Sequence, residues 1–349
     1  MDNEWKGALE EGRLLAWLDS RGIGAGPLTG VRLLPGGTQN LLIRFEREGR
    51  CYVLRRPSLT PRPEAEKTIL REARALAALA RTGIPHPKLI AACDSRAVLG
   101  AVFYVTEEVQ GFNATLRLPD HFEADPSLRR RLGLELVDGI ASLAAVDPDR
   151  VGLGDFGKPE GFLERQVPRW AAQLESYRQF AGWPGPAVLD GVADIGGWLE
   201  GHRPASCVVG LMHGDYHIGN VLFDESDGRL AAILDWELAT LGDPLLDFAR
   251  LLSTWPDPSG ASPLSLKVGS WSGFPVREEL IERYARRTKR DLSNLLWFEV
   301  LACYKLAIVL EGTNARASAG LADPGTALRL HASANALLGR AHDALAQHG

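Results

Sequence analysis

Residues 211–220 read Leu211-Met212-His213-Gly214-Asp215-Tyr216-His217-Ile218-Gly219-Asn220. After a short apolar hairpin the chain reads Ile233-Leu234-Asp235-Trp236-Glu237. Gly214 and Gly219 interrupt any helical pattern, so the first stretch is a loop. Asp215 and Asn220 stand five apart. Val221–Asp224 and Leu230–Leu234 then form two short strands, joined by a turn at Asp227-Gly228. A hairpin returns to its own start, so it brings Asn220 and Asp235 to one cleft. A carboxylate beside a hydroxyl can take its proton. An amide oxygen and a second carboxylate are the hard donors that suit magnesium. A rival reading takes His213, Asp215 and His217 as transition-metal ligands of a hydrolase. The glycines and the lack of a third nearby histidine weigh against it. His213 can also be a structural histidine that braces the loop.

The rest of the chain divides around this segment. Before it, an amphipathic helix is expected over residues 4–20, then strands over 29–34, 41–47 and 51–55. A long helix over 64–81 and strands near 88–93 and 101–108 follow. After Gly111 helices dominate: 127–145, 162–181, 187–201, 244–253, 277–289, 293–311 and 325–346. Leu128, Leu132, Leu136 and Ile140 repeat every four residues and mark one buried stripe. Only the hairpin after Asn220 interrupts the helices. The expected fold is α+β and bilobal. A β-rich lobe with one long helix (1–110) precedes a larger, mainly helical lobe (111–349), with the boundary near Val109–Gly111.

Composition narrows the classes. The 349 residues carry 39 Lys+Arg against 44 Asp+Glu, a net charge of −5, which argues against nucleic acid as the main partner. The imbalance is uneven: residues 1–110 hold 16 basic and 13 acidic residues, the remainder 23 and 31. A slightly basic first third suits an anion, and an acidic remainder suits a metal. Cysteines 51, 93, 207 and 303 lie too far apart for a CxxC zinc site. Met1 to Trp17 has no apolar run like that of a secretory leader, and Lys305 breaks the longest apolar stretch. These features lead to the expectation of a cytoplasmic chain with no membrane span.

The order Asp215, Asn220, hairpin, Asp235 is that of a kinase catalytic loop and its metal-binding aspartate. His-Gly-Asp-Tyr-His-x-Gly-Asn with Leu-Asp-Trp-Glu resembles the signature of the aminoglycoside phosphotransferase and choline kinase-like family. Gly242-Asp243-Pro244-Leu245-Leu246-Asp247 matches the stretch that usually follows. Phe156-Gly157-Lys158-Pro159 and Arg165-Gln166-Val167-Pro168-Arg169-Trp170 resemble a narrower subfamily. It includes the kinase-like domain fused to acyl-CoA dehydrogenase domains in animals, and stand-alone bacterial proteins. The resemblance implies a protein kinase-like fold, ATP and Mg²⁺ as cofactors, and a small hydroxylated acceptor. Asp215 would then be the base, and Asn220 and Asp235 the metal ligands. The narrower likeness implies an acidic or acyl-CoA-linked acceptor.

In the same light, the turn-rich Pro35–Asn40, with Gly36, Gly37 and Thr38, would be the hairpin loop over the phosphates. Alternation puts Val53 and Arg55 on one strand face, Val53 toward adenine and Arg55 toward the phosphates. Glu72 would pair with Arg55, which stands where such kinases usually carry lysine; Arg56 is its rival. The backbone of Glu107 and Val109 would meet adenine. Arg165 and Arg169 fall on one helical stripe and could hold an acidic acceptor, or form a solvated basic face. Asp243 is expected to cap the next helix, and Asp247 to brace the loop. A protein kinase is disfavoured, because Gly214 replaces the usual arginine and only seven residues separate Asp235 from Asp243. A nucleotide-binding regulator without transfer activity is the remaining alternative, supported by Arg55 alone.

Overall fold

Alternating burial in two long strands organises the first lobe of the computed structural model. The structure describes residues 7–34, 40–61, 63–257, 259–264, 268 and 271–347. Helix α1 (Glu11–Ser20) precedes β1 (Thr29–Leu33), β2 (Asn40–Arg47) and β3 (Arg50–Pro57). Glu48 and Gly49 both have positive φ (49° and 71°), which is the geometry of a tight hairpin turn. It sets β2 and β3 in unbroken antiparallel register from Asn40 opposite Pro57 to Arg47 opposite Arg50. Ile43, Phe45, Tyr52 and Leu54 are buried on one face, in a cluster with Leu14 and Leu18 of α1. Val53 and Arg55 therefore emerge on the other face.

Helix α2 (Ala65–Leu79) follows, then β4 (Leu89–Cys93) and β5 (Phe103–Glu107). The five strands form one antiparallel sheet in the order β1-β2-β3-β5-β4. Beyond Glu107, Gly111 has φ 151°, and Phe112 forms a bridge to Phe223 in the second lobe.

That lobe holds α3 (Asp120–Ala124), α4 (Pro126–Ala144), α5 (Gln166–Ser176), α6 (Val192–Gly201), β6 (Gly210–Met212), β7 (Val221–Phe223), β8 (Leu230–Ile233) and β9 (Thr240–Gly242). It ends with α7 (Leu245–Ser253), α8 (Arg277–Thr288), α9 (Leu295–Ser318) and α10 (Pro324–Ala346). Asp125 and Asp323 accept the Ser127 and Thr326 N–H at 2.7 Å, each with proline at the first helical position. This is the pairing of cap and proline that starts a helix cleanly. Leu132, Leu136 and Ile140 of α4 are fully buried, and Phe248 of α7 stacks on Tyr284 of α8 at 4.1 Å.

Several expectations need correction: the helix expected over 4–20 begins at Glu11 and that over 187–201 at Val192. The helix expected over 162–181 is only Gln166–Ser176, because Gly161 is left-handed (φ 61°) and Pro168 fits only in a first turn. The helix expected over 293–311 continues to Ser318. Gly312 does not end it; a Cβ there would press on the Tyr177 hydroxyl. A second pair, β6 with β9, flanks the 213–220 loop besides the β7–β8 hairpin.

Candidate functional site

The loop between β6 and β7 is held from below. His213 is fully buried. Its Nδ1 accepts the Asp215 N–H at 3.3 Å, so Nε2 carries the proton and donates to Leu234 O at 2.7 Å. Asp247, in the first turn of α7, accepts the His213 N–H at 2.5 Å and the Gly214 N–H at 2.8 Å. Gly214 has φ 87°, and a Cβ would overlap Leu238 O, so only glycine fits. Asn113 donates to Gly219 O (2.7 Å) and Val221 O (3.2 Å). Both ring nitrogens of His213 are thus committed, and His217 Nδ1 accepts the Gly219 N–H at 3.0 Å. That removes them as a metal pair.

Asp215 is raised above this support with its side chain about one-third exposed (34 %). Arg250 Nε donates to its Oδ1 at 2.8 Å, and His217 Nε2 stands 3.7 Å from Oδ2. Burial opposes ionisation, but Arg250, then His217 and Lys305, outweigh it and hold the carboxyl well below its ordinary range. Lys305 of α9 donates to Gly214 O at 2.8 Å and lies over the Trp170 ring. Burial lowers its ammonium pKa, against the pull of Asp215 and Asp247.

Asn220 gives its amide N–H to Asp215 O at 3.0 Å, which leaves its carbonyl oxygen as the donor for a cation. Leu234 N–H bonds Asn220 O at 2.8 Å and fixes Asp235 beside it. Asp235 is left-handed at φ 60°, which is costly for a non-glycine residue and typical of functional turns. The donor set fits a hard divalent ion.

Arg55 reaches this point from β3. Its Nη2 donates to Asp235 Oδ1 (2.7 Å) and Glu237 Oε2 (3.2 Å). Its Nε is 3.0 Å from Glu72 Oε2, an ion pair without hydrogen-bond alignment. Glu72 Oε1 accepts the Trp236 N–H at 3.1 Å, so α2 is tied to the 235–237 turn. Burial pushes the Glu72 carboxyl up to about 7; Arg55 pulls it down and Asp235 pushes it up. Glu237 is raised by burial and by Asp235. Arg56, the rival to Arg55, points the opposite way and is buried, bonded to Ala8 O and Leu99 O.

A cavity of about 490 Å³ between the lobes is lined by Arg55, Glu72, Asn220, Asp235 and Glu237, though not by Asp215 itself. Leu42, Val53 and Leu222 form apolar walls, Arg55, Asn220 and Asp235 one end, and Glu107 and Val109 a rim. The Glu107 N–H is committed to Lys88 O, so its backbone can offer a ligand only the carbonyl. A larger cavity, about 980 Å³, lies by Trp255, Phe274 and Arg340, and Asp215, Asn220 and Asp235 do not line it. Chemistry rather than size singles out the cleft. Gly36, Gly37 and Thr38 lie outside the described residues.

Arg169 lies against the Trp170 ring, close enough to Lys305 to lower its pKa. Arg165 instead donates to Lys158 O and Glu160 O of its own loop. Asp243 accepts the Leu245 N–H at 3.0 Å and pairs with Arg290 at 2.7 Å. Sequence reasoning missed Arg250 and gave no role to Lys305 or Glu237. The available signal was a basic residue flanked by apolar ones in each of two helices, Arg250 in α7 and Lys305 in α9.

Among the described residues no helix is long and apolar enough to cross a membrane. Residues 30–286 match the model of the phosphotransferase enzyme family. Acyl-CoA dehydrogenase family member 11 of Rattus norvegicus is 33 % identical over 290 residues, covering 80 % of this chain and 35 % of that protein. The chain thus spans about a third of that relative's length. A solved Ralstonia eutropha structure, assigned to the aminoglycoside phosphotransferases, has a TM-score of 0.77 at 29 % identity, covering 95 % of this chain and 98 % of that one. Aminoglycoside phosphotransferase APH(4)-Ia, solved with ADP and hygromycin B, shares the fold at a TM-score of 0.59 and 17 % identity, covering 94 % and 98 %. With the fold and the family model in agreement, the chain belongs to the phosphotransferase enzyme family.

Proposed function

We propose that the chain is an ATP- and Mg²⁺-dependent kinase that phosphorylates the hydroxyl of a small acidic or acyl-CoA-linked metabolite. The carrying observation is the joining of Asp215, Asn220 and Asp235 by one bonded loop at the end of an apolar-walled cleft. In this reading adenine lies between Val53 and Leu222, with the rim at Glu107 and Val109. Arg55, positioned by Glu72, meets the phosphates. Asn220 and Asp235 hold the magnesium, which would offset phosphate charge when bound. Asp215 orients the acceptor hydroxyl and takes its proton. A carboxylate held so acidic is a weak base, so alignment is its larger contribution. A nucleotide bound by APH(4)-Ia supports this use of the cleft by analogy of fold.

The acceptor side supports an anion. Arg250 and Lys305 meet the loop around Asp215, and Arg169 stands next to Lys305. The buried indole N–H of Trp170 has no hydrogen-bond partner among the described residues. Exposed Arg169, with the less exposed Arg250 and Lys305 behind it, favours a carboxylate or phosphate over a polycation. Incubation with Mg-ATP and a panel of hydroxy acids, hydroxyacyl-CoA thioesters, choline-like amines and aminoglycosides, read by mass, tests the proposal. One added phosphoryl group on an acidic acceptor is expected. Transfer confined to the cationic acceptors would overturn the acidic assignment.

A further inference from the structure

Arg55 faces more negative charge than one guanidinium balances. Its Nη2 lies between Asp235 Oδ1 (2.7 Å) and Glu237 Oε2 (3.2 Å), so two carboxylate oxygens of one turn converge on a single nitrogen. Its Nε simultaneously faces Glu72 Oε2 at 3.0 Å, and Asn40 Nδ2 also donates to Glu237 Oε2 at 3.2 Å. A point where carboxylate oxygens converge is where a hard cation sits. Here a protein cation sits there, and arginine keeps its charge at any relevant pH. The forked shape matters. Arginine can span Glu72 with Nε and Asp235 with Nη2 at once, whereas a lysine ammonium is a single point on a flexible stem.

We propose that Arg55 is the resident cation of the Asp235–Glu237 seat in the nucleotide-free chain, and that a metal–nucleotide takes the seat by drawing the guanidinium onto its phosphates. This rests on the reading of Asp235 as a metal ligand. The metal alone must compete with a tethered charge, whereas the metal with nucleotide does not. Metal and nucleotide therefore strengthen each other's binding, by the same factor in both directions.

The test is Mn²⁺ binding to the full chain without nucleotide, followed by loss of the free-ion electron paramagnetic resonance signal. Arg55→Lys, which keeps the charge but pairs with Glu72 alone, is expected to bind Mn²⁺ about tenfold more tightly than wild type, a typical coupling. Arg55→Gln is expected to bind at least as tightly. If Arg55→Lys binds like wild type and only Arg55→Gln binds more tightly, charge at a distance is responsible and the seat assignment falls. Equal binding by all three chains overturns it as well. Thermal melting checks folding, and the charge-conserving lysine variant carries the test if the glutamine variant does not fold. Adding Asp235→Asn to Arg55→Lys should abolish the tight binding. Mn²⁺ retained in that double variant would place the ion elsewhere and remove the metal role of Asp235 itself.

Discussion

Arg250 takes one oxygen of Asp215 at 2.8 Å, and the pH behaviour of the site follows from that contact. Asp215 must be ionised to accept a hydroxyl proton. Its folded pKa is depressed, so the proposed transfer activity should persist as pH falls and be lost only well below the usual carboxylate range. Arg250→Gln removes the largest influence opposing burial and leaves only His217 and Lys305 against it. Its acid limb should move up in pH relative to wild type, whereas Arg250→Lys should stay near wild type. Limbs that coincide in wild type and Arg250→Gln would show that Asp215 does not set the profile. The same pairing contributes stability above the unfolded carboxyl's pKa, lost as pH falls through the lower folded value. Glu72 runs the other way. Its folded pKa, about 7, lies above the ordinary 4.5, so the folded chain binds the extra proton between those values. This term favours folding at low pH and weakens as pH rises from about 4.5 to 7. Glu72→Gln should therefore gain stability relative to wild type across that window, measured by denaturant melts at each pH. A constant difference would contradict the assignment.

The loop is built by neighbouring elements. Asp247 of α7 is its anchor, accepting two buried backbone N–H groups. Asp247→Ala leaves both without a partner and should cost about 3 kcal/mol, given about 1–3 kcal/mol per buried unsatisfied group. Urea unfolding would show the loss, and a change below 1 kcal/mol would mean the loop re-forms its bonds. Gly214→Ala should be equally damaging, because a Cβ meets the Leu238 carbonyl and the φ is left-handed. The uneven legibility of these parts has a physical cause. Asp215, Asn220, Asp235 and the brace at Asp247 lie within 33 residues of one another, and their spacing is set by one hairpin. Lys305 meets the loop from 90 residues beyond Asp215, and no local pattern records such a contact. Strands β6 and β9 have three residues each, too few to show alternation. Gly312 resembles a helix stop, yet close packing on Tyr177 is its purpose. Alternation did place Val53 and Arg55 on the cleft face, because β3 is long and Tyr52 and Leu54 commit its other face to the core.

At the scale of the molecule, several bonds among the described residues join the lobes. Arg55 joins the sheet to the 235–237 turn, Glu72 joins α2 to Trp236, and Arg71 bonds Phe156 O and Ala239 O. A ligand in the cleft touches both lobes and should stabilise them as a unit. With Mg-ADP at a hundred times its Kd the gain is about 2.7 kcal/mol, a rise in Tm of roughly 5 °C. No rise at saturating nucleotide would remove the cleft as a nucleotide site. The bilobal α+β architecture was legible because its strands and helices segregate along the chain. The proposed acceptor surface was not, because Arg169, Arg250 and Lys305 come from three separate helices and are gathered only by packing.

The most direct measurement compares wild type with Asp215→Asn, using the acceptor that the panel identifies. Phosphoryl transfer and Mg-ATP affinity are read on the same preparations. The isosteric amide keeps the loop's backbone bonds but cannot accept the proton. Transfer should fall by at least about 10²-fold, the lower range for a positioned general base, while Mg-ATP affinity stays within a few-fold. Near-normal transfer by Asp215→Asn would contradict the central claim that this carboxylate aligns and deprotonates the acceptor.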